Sequence, residues 1–453
     1  MKYFYLIFLN FVLIQSSFLQ SFTKYNFTNS DVFSSGAFVA DLNNDQFPDI
    51  IAGDRQEINI YINNKNGKSY EKYLLTTTSV WQSSFTTFDV DGDNDIDILV
   101  GVEGKVLLFR NISTATEFKF EKVDEDFYNF SGLTNSVPIL SKGDINNDEK
   151  IDVIVAYGYT DALIQRANYK FSKHRISENI RTNIKRIEVE DLNNDNKLDI
   201  ILTTGDQNIN FYINKGDESF LTENVIYGND YKDFIICDLN GDSYNDVVTF
   251  DYSWDSHMKI FENSKSTFFS FEEKNISSNI IYNFSSLAKG DFNNDNKVDF
   301  IVGFEQTAGI SLILNTTVDS NYKFNFKNVT QSSGISLKLF VNDFDLDGDD
   351  DILQLSEYGG FNIYLNGIIS GNNDETVLSV SLFPNPAIDF IRLNSKNLTN
   401  CEITIYNSLG HFVHKEYYQF NQEINISNLI SGIYTIDLKY ENGKKQKMKF
   451  LKL

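Results

Sequence analysis

Residues 343–351 read Asp343-Phe344-Asp345-Leu346-Asp347-Gly348-Asp349-Asp350-Asp351, with acidic side chains at positions 1, 3, 5 and 9 of the stretch. Six relatives lie upstream and begin at Asp41, Asp89, Asp144, Asp191, Asp238 and Asp291. Every copy has Asp at positions 1, 5 and 9 and Asp or Asn at position 3. Four such side chains and the position-7 carbonyl can surround one point, and Ca²⁺ takes about six to eight hard oxygen ligands.

The seven copies therefore predict Ca²⁺ sites, up to seven in number. The predicted metal ligands are Asp41, Asn43, Asp45, Asp49, Asp89, Asp91, Asp93, Asp97, Asp144, Asn146, Asp148, Asp152, Asp191, Asn193, Asp195, Asp199, Asp238, Asn240, Asp242, Asp246, Asp291, Asn293, Asp295, Asp299, Asp343, Asp345, Asp347 and Asp351. Ordinary turns also consist of Asp, Asn and Gly, so one copy alone would be a weak signal. Seven copies in a fixed context favour metal loops.

Position 4 of the loop is Asn or Gly in the six upstream copies. These residue types tolerate the left-handed backbone that a tight loop needs. The last copy has Leu346 at this position, and we interpret Gly348 at position 6 as its compensation.

An apolar run follows position 9 in every copy, as in residues 50–52. The loops begin at steps of 48, 55, 47, 47, 53 and 52 residues. This period is the length of a four-stranded propeller blade. In the first repeat the pattern predicts strands at residues 36–41, 49–53, 57–62 and 69–76. We therefore predict an all-β chain with a seven-bladed β-propeller.

Ring closure is also predicted from the sequence. The seventh repeat has no fourth strand before a polar linker at residues 369–376, whereas residues 22–28 resemble the fourth strand of the sixth repeat, residues 322–330. The N-terminal segment is therefore expected to complete the last blade and to remove an open sheet edge. The third strand of most repeats ends in Asn, at Asn63, Asn111, Asn214, Asn263, Asn315 and Asn366.

Segments such as 142–148 and 289–295, each followed by Asp and an apolar strand, resemble the FG-GAP or VCBS repeats of integrin-α-like propellers. The resemblance covers roughly residues 22–368. It implies Ca²⁺ at all seven loops, on the face opposite most ligand sites. Gln46, Glu149 and Ser243 replace the usual Gly at position 6, so weaker sites are expected there.

The chain changes character in residues 377–453, where alternating strands and Gly-containing turns predict a small C-terminal β-sandwich. Pro384-Asn385-Pro386, Tyr406 with Gly410, and Gly432 with Tyr434 resemble the C-terminal sorting domain of type IX secretion substrates. The resemblance implies handling by the type IX secretion machinery. It places the protein outside the cell or on the outer-membrane surface.

Residues 1–21 are predicted to be a signal peptide, because one Lys precedes about a dozen apolar residues. No other stretch is apolar and long enough for a transmembrane segment in the mature protein. The net charge is −24, and the predicted metal-ligand positions of the loops contribute 23 aspartates to it. This acidity argues against a nucleic-acid partner. Two cysteines, Cys237 and Cys401, imply no disulfide framework, and we expect a monomer.

The favoured function is binding or adhesion to an extracellular glycan or protein through the rim opposite the metal loops. The predicted rim residues are Asp54, Arg55, Gln56, Glu103, Tyr157, Gly158, Tyr159, Thr160, Asp161, Asp206, Gln207, Tyr252, Ser253, Trp254, Asp255, Ser256, His257, Glu305, Gln306 and Tyr358. Among them Trp254 is the best single candidate.

Two alternatives stay open. The first is a polysaccharide- or peptide-degrading enzyme built on the propeller. It is disfavoured because His174 and His257 are far apart in sequence and no nucleophile elbow or zinc-binding helix motif occurs. The second is a purely structural surface component, in which calcium only stabilises the fold.

Overall fold

The computed structural model describes residues 19–27, 36–54, 56–78, 83–114, 117–129, 137–177, 184–203, 208–227, 231, 233–251, 257–265, 270–276, 284–304, 309–318, 321–330, 336–356, 360–369, 381–383, 387–394, 401–407, 412–418, 422–429, 432–440 and 445–452. All regular elements in these ranges are β-strands. Contacts divide the chain into a larger unit, Gln20–Ile369, and a smaller unit that contains Ser370–Leu453. No helix able to cross a membrane occurs in the described part of the chain.

The larger unit consists of seven four-stranded antiparallel sheets, as predicted from the loop period. Their second strands are continuous apolar runs that are buried on both faces, which is why the sequence marks them so clearly. Blades 1 to 3 comprise β2 (Ala37–Ala40), β3 (Asp49–Asp54), β4 (Glu57–Asn63), β5 (Tyr70–Thr77); β6 (Ser84–Phe88), β7 (Asp97–Val102), β8 (Lys105–Asn111), β9 (Phe120–Asn129); and β10 (Ile139–Gly143), β11 (Asp152–Ala156), β12 (Thr160–Ala167), β13 (Lys170–Ser177).

Blades 4 to 6 repeat the same order of strands. They comprise β14 (Ile187–Glu190), β15 (Asp199–Thr203), β16 (Ile209–Asn214), β17 (Phe220–Ile226); β18 (Phe234–Cys237), β19 (Asp246–Phe250), β20 (Met258–Asn263), β21 (Phe271–Asn275); and β22 (Phe284–Gly290), β23 (Asp299–Phe304), β24 (Ile310–Asn315), β25 (Phe324–Thr330).

Blade 7 is built from both ends of the propeller segment. It comprises β26 (Ser336–Asn342), β27 (Asp351–Ser356), β28 (Gly360–Ile369) and, as its outermost strand, the N-terminal β1 (Leu19–Phe27). The predicted completion of the last blade is thus confirmed. Strand β1 begins within the segment assigned above to a signal peptide, whose residues 1–18 lie outside the described ranges.

The apolar core lies between blades rather than within a single layer. Seven buried clusters occur, one at each contact between neighbouring sheets. The cluster that joins blade 7 to blade 1 contains Ile50, Leu353 and Phe361, with Phe27 of β1 packed against it. Burial of apolar surface in these clusters is the main favourable contribution to the folding free energy of the propeller, at about 25 cal/mol per Å².

The smaller unit contains two antiparallel sheets, in the orders β29-β30-β33 and β32-β31-β34-β35. The strands are β29 (Ser381–Phe383), β30 (Phe390–Asn394), β31 (Cys401–Asn407), β32 (Phe412–Tyr418), β33 (Ile424–Asn425), β34 (Gly432–Tyr440) and β35 (Lys445–Lys452). Their inward side chains form one core that includes Tyr418, Tyr434 and Phe450. The predicted linker at residues 369–376, beyond Ile369, and the Pro384–Pro386 motif lie outside the described residues.

Removing the aromatic anchor of β1 tests the closure of the ring. The Phe27 ring stacks on Phe361 at 5.0 Å between centroids and meets Tyr70 edge-on at 5.1 Å. Phe27→Ala is expected to lower the free energy of unfolding by about 2 kcal/mol, measured by urea denaturation. Phe326→Ala is the matched control, because Phe326 stands on the outermost strand of blade 6 and is 41% exposed. Equal effects of the two substitutions would contradict the role of β1.

Candidate metal-binding face

Each acidic loop folds around the carboxylate at its own position 1. In the fourth loop, Asp191 Oδ1 accepts a hydrogen bond from the Asp195 backbone N–H at 3.2 Å, and Asp191 Oδ2 accepts one from Asn196 at 2.8 Å. Asn193 Oδ1 also accepts from Asp195, at 3.0 Å. Equivalent bonds occur in the first, third, fifth and sixth loops. The hydrogen bonds of the loop therefore hold the side chains at positions 1 and 3 toward its interior.

The backbone is left-handed at two positions of every loop. Position 4 has φ between 56° and 81° and position 6 has φ between 62° and 95°, at Asn44, Gln46, Gly92, Asn94, Asn147, Glu149, Asn194, Asn196, Gly241, Ser243, Asn294, Asn296, Leu346 and Gly348. The interpretation that Gly348 compensates for Leu346 is therefore wrong. Leu346 itself has φ 56°, so it bears the steric penalty of a left-handed side chain while Gly348 serves a separate left-handed position.

The position-9 aspartates fasten each loop to its own blade. Asp199 is fully buried, and its Oδ2 accepts from the Leu192 backbone N–H at 3.0 Å while its Oδ1 accepts from Asn214 at 2.8 Å. The same two bonds recur in all seven blades. Burial raises the pKa of Asp199 to about 7, although the two N–H donors oppose this shift.

An Asn or Gln at or near the end of each third strand joins its blade to the preceding one. Its side-chain amide donates to the position-2 carbonyl of the preceding loop, at 2.7 to 3.2 Å. The seven pairs are Asn63 with Phe344, Asn111 with Leu42, Gln165 with Val90, Asn214 with Ile145, Asn263 with Leu192, Asn315 with Leu239 and Asn366 with Phe292. Together they form a closed circle, here called the amide ring. The recurrent Asn is evident from the sequence. The sequence did not predict that this side chain links neighbouring blades, or that Gln165 replaces it in blade 3.

Neighbouring loops also touch each other, which places them on one face of the propeller. Asn44 Nδ2 donates to Asp95 at 2.7 Å, and Asn294 Nδ2 donates to Asp349 at 2.7 Å. Asn147 and Asn194 reach the backbone carbonyls of the following loops at 3.0 and 2.9 Å. Asn therefore suits position 4 because it tolerates the left-handed backbone and, unlike Gly, also reaches the next loop with a hydrogen bond.

Where position 4 is Gly, a tyrosine from the next blade contacts position 3 instead. The Tyr169 hydroxyl donates to Asp91 of the second loop. Tyr322 of blade 6 accepts from Asn240 Nδ2 of the fifth loop at 3.3 Å. The face thus has two alternative ways of linking consecutive loops.

Within the described residues, basic side chains of the protein partly neutralise five of the seven loops. Each forms an ion pair with the position-5 carboxylate, namely Lys65 with Asp45, Arg110 with Asp93, Lys150 with Asp148, Lys197 with Asp195 and Lys265 with Asp242. Arg110 contacts two carboxylates of its loop, because its Nη2 lies 2.8 Å from Asp91 and 3.1 Å from Asp93. Partial burial alone would raise the pKa of Asp93, but the Asp95 N–H and Arg110 hold it below its usual value.

The seventh loop, by contrast, has no ion pair with a basic side chain among the described residues. Oxygens from Asp343, Asp345 and Asp351 lie within 4.8 Å of one another, as do those of Asp89, Asp91 and Asp93 in the second loop. Burial first, and then mutual repulsion, raises the pKa of Asp343 to about 7 and that of Asp347 to about 6. Oδ1 of Asp345 is buried and has no hydrogen-bond partner among the described residues. This donor set fits a hard cation such as Ca²⁺.

Asp161 was predicted to be one of the residues on the opposite rim, and the prediction is wrong for this residue. Asp161 is fully buried and accepts hydrogen bonds from Tyr128 at 2.6 Å and Tyr157 at 3.0 Å. Arg175 and Lys173 complete its surroundings as ion-pair partners. It is a saturated structural carboxylate, because four partners use its two oxygens.

The other predicted rim residues differ in exposure, and several of them lie outside the described residues. Gln56 and His257 are exposed and Glu103 is half-buried. Arg55, Asp206, Gln207, residues 252–256 with Trp254, Glu305, Gln306 and Tyr358 lie outside the described residues. His174 lies 2.6 Å from Glu218, and His257 lies 3.6 Å from Asp251, so the two histidines belong to separate ion pairs.

Comparison with protein families agrees with this geometry. The FG-GAP-like repeat family matches residues 41–100, 144–202, 191–249 and 238–302, and the secretion system C-terminal sorting domain family matches residues 381–452. This chain contains FG-GAP-like repeats and a type IX sorting domain. The sorting domain indicates export to the cell surface or the extracellular space. Every match to the repeat family begins at the first Asp of an acidic loop.

Solved structures similar to this FG-GAP-repeat chain are also β-propellers. BBS1N, solved in complex with ARL6DN and soaked with mercury, is 11% identical with a TM-score of 0.51 over 80% of this chain and 99% of that chain. A lead-soaked crystal of the same complex gives a TM-score of 0.50 at 11% identity, over 78% and 96% of the two chains. An Agrocybe aegerita lectin that recognises non-reducing terminal N-acetylglucosamine is 16% identical with a TM-score of 0.49, over 67% and 81%. No curated protein matches the sequence. The two likenesses to BBS1N show the fold alone.

The amide ring is expected to be essential for stability. Asn111 Nδ2 donates to the carbonyls of Leu42 and Ile96, at 2.9 and 3.2 Å. Asn111→Ala leaves both carbonyls without this partner and is expected to lower the free energy of unfolding by about 2–3 kcal/mol in urea denaturation. The control is Asn64→Ala, which removes only an exposed bond to Ser69. A loss no larger than that of the control would refute the role assigned to the ring.

Replacing Leu346 is expected to stabilise the protein. Leu346→Asn puts a residue that tolerates left-handed backbone at φ 56° and should raise the free energy of unfolding by about 1 kcal/mol. Leu74→Asn serves as control, because Leu74 is also exposed, at 58%, but lies in a strand. The urea midpoint of each variant gives the comparison, and a gain shared by both would point to solubility rather than to backbone strain.

Proposed function

We propose that this exported protein is a calcium-binding β-propeller that acts as a binding or adhesion module. One observation carries the proposal. A closed ring presents seven acidic loops on one face and is joined to a sorting domain that directs it out of the cell. A rigid ring leaves the opposite rim for a partner, and the partner class we propose is an extracellular glycan or protein.

Calcium is proposed at the loops because their donors are hard oxygen atoms held in preformed turns. The seventh loop supports this most directly. Asp345 has a buried oxygen without a hydrogen-bond partner, and it forms no ion pair with a basic side chain, both within the part of the chain that the structure describes. Bound Ca²⁺ would supply positive charge that screens the repulsion between the loop carboxylates. Extracellular proteins meet millimolar calcium, which suits exposed loops of moderate affinity.

Binding is proposed in preference to catalysis. The buried carboxylate near the rim, Asp161, is held by two tyrosines and two basic residues, which leaves its oxygens no role in proton transfer. The histidines His174 and His257 are each paired with a carboxylate, in blades 3 and 5 respectively. The type IX secretion machinery is the proposed partner of the C-terminal domain during export.

Removing calcium is expected to destabilise the propeller. Thermal unfolding of the full chain in millimolar Ca²⁺ should occur at least about 5 °C higher than in excess EDTA, because the ion binds the folded loops in preference to the unfolded chain. Mg²⁺ is the control and should give a smaller shift, since it demands a tighter octahedral site. Equal melting temperatures in EDTA and Ca²⁺ would mean that the acidic loops are only hairpin turns.

Ligand binding is tested with the Ca²⁺-loaded full chain on glycan and peptide arrays. A double substitution on the rim, Glu103→Gln with His257→Ala, should reduce binding, whereas Lys65→Ala on the metal-binding face should retain it. Hydrolysis of an arrayed compound would favour the enzyme alternative. Absence of any bound glycan or peptide would favour a purely structural component.

A further inference from the structure

Tyrosines and basic side chains gather where blades 2 and 3 meet, on the rim opposite the metal loops. We call this group the rim cluster, and it consists of Tyr128, Tyr159, Lys173 and Arg175 around the buried Asp161. Residues 157–159 join the second strand of blade 3 to its third, whereas the acidic loops join first strands to second strands. In an antiparallel blade these two kinds of connection lie at opposite ends. Arg175 pairs with Asp161 at the start of β12, and Tyr128 pairs with Val106 near the start of β8, so both belong to the rim end.

Asp161 holds the two bases of the cluster in place. Arg175 Nε donates to its Oδ1, and the Lys173 ammonium lies 3.1 Å from its Oδ2. Within this group of described side chains, one carboxylate therefore faces two positive charges. The Lys173 side chain is 42% exposed, and Asp161 is its only ion-pair partner in the described part of the chain. An ammonium has three N–H donors, so Lys173 can also pair with an anion from solution.

Each base of the cluster lies beside a tyrosine ring. The guanidinium carbon of Arg175 is 4.2 Å from the Tyr159 ring centre, and the Lys173 ammonium is 5.2 Å from the ring centre of Tyr128. Cation–π contacts of this kind fix a long side chain without neutralising its charge. Arg175 and both rings are half-buried, so the cluster presents aromatic and cationic surface side by side.

The propeller repeat does not require this cluster. Asp161 pairs with Val155, the third residue after the position-9 aspartate of its blade. The residues at the same place in the other six blades carry no carboxylate, and they are Asn59, Leu107, Asn210, Lys259, Ser311 and Asn362. The position-9 aspartate, by contrast, occurs in all seven blades. Because a buried carboxylate is costly to desolvate, its occurrence in one blade alone favours a role beyond holding the blades together.

We propose that the rim cluster binds an acidic sugar, that is, a pyranose ring that carries a carboxylate or a sulfate group. Lys173 and Arg175 form charge-assisted hydrogen bonds with the anionic group. Tyr159 contacts the C–H face of the ring, and Asp161 is a positioning residue. The tyrosines favour a sugar over an acidic peptide, because Asp and Glu side chains have no comparable apolar face. This inference rests on the proposed binding function and names the ligand class of its rim.

The first test compares ligands on the Ca²⁺-loaded full chain by calorimetry. The probes are a hyaluronan hexasaccharide with carboxylates, a keratan sulfate oligosaccharide with sulfates, and a neutral N-acetyllactosamine oligosaccharide. An acidic probe should bind at least about tenfold more tightly than the neutral one, and added salt should weaken it. The tighter acidic probe identifies the anionic group. Equal binding of the neutral probe, binding of neither acidic probe, or tighter binding of polyglutamate overturns the proposal.

The second test removes one charge of the cluster. Lys173→Met keeps the apolar stem and is expected to weaken the acidic probe about tenfold, since a hydrogen bond to a charged group is lost. Lys173→Arg retains the charge and should restore binding. Lys72→Met is the matched control, because Lys72 lies on the outermost strand of blade 1, is 46% exposed and pairs with Glu57 at 3.4 Å. Unchanged affinity in Lys173→Met overturns the proposal.

Thermal melting separates ligand binding from a purely structural role. If the cluster only links blades 2 and 3, Lys173→Met lowers the melting temperature and leaves the dissociation constant unchanged, which overturns the proposal. Tyr159→Leu should weaken the acidic probe and keep its preference over the neutral one, because both charges remain. Affinity equal to that of the wild type would remove Tyr159 from the site.

The proposed function and the rim cluster fail in different ways. A wild-type chain that binds no glycan and no peptide on the arrays contradicts the proposed function itself. A chain that binds an arrayed compound equally well with and without the Lys173→Met substitution keeps the proposed function and loses only the rim cluster.

Discussion

The buried carboxylate at position 9 of each loop is the constraint on which the propeller depends. Its two oxygens hold the start of the loop and the end of the third strand, as Asp199 does with Leu192 and Asn214. Once the third strand is held at that point, its terminal amide reaches the preceding blade. A buried charge is tolerated only when it is hydrogen-bonded in this way. The acidic loops therefore organise the ring before they hold any ion.

The acidic loops hold the ring together and are also proposed to bind metal ions. This double role explains why their sequences are so regular although their charge partners differ. Positions 9 and 2 are determined by the fold, because every blade needs the same link to its neighbour. Positions 3 and 5 are free of that demand, and the loops differ there in the residue at position 3, Asp or Asn, and in the basic partner of the position-5 Asp. Arg110 stands beside Asp91 and Asp93, whereas Asp345 has no basic partner in the described chain. The contacts that hold the ring and the charge of each loop thus depend on different residues of one motif.

Blade 7 differs from the other blades in the origin of its strands. Its outermost strand comes from the N-terminal end of the propeller, and its core includes Phe27, Tyr70 and Phe361 of three different strands. The chain that leaves β1 leads directly into β2, so blade 7 is connected to blade 1 from outer to inner strand like every other pair of neighbouring blades. The place without chain continuity is inside blade 7, where β1 pairs with β28. Closure of the ring therefore relies on that pairing and on the packing of Phe27.

The sequence by itself determined the all-β class, the seven blades, the completion of blade 7 by β1 and the sorting domain. These follow from periodic patterns, namely the loop spacing, the apolar run after each position-9 Asp and the missing fourth strand. Tertiary structure alone decided the amide ring, the saturation of Asp161 and the unequal charge of the loops. Each depends on residues brought together from distant positions, such as Asn63 with Phe344 or Tyr128 with Asp161. A local pattern carries no information about which side chain of a neighbouring blade will meet it.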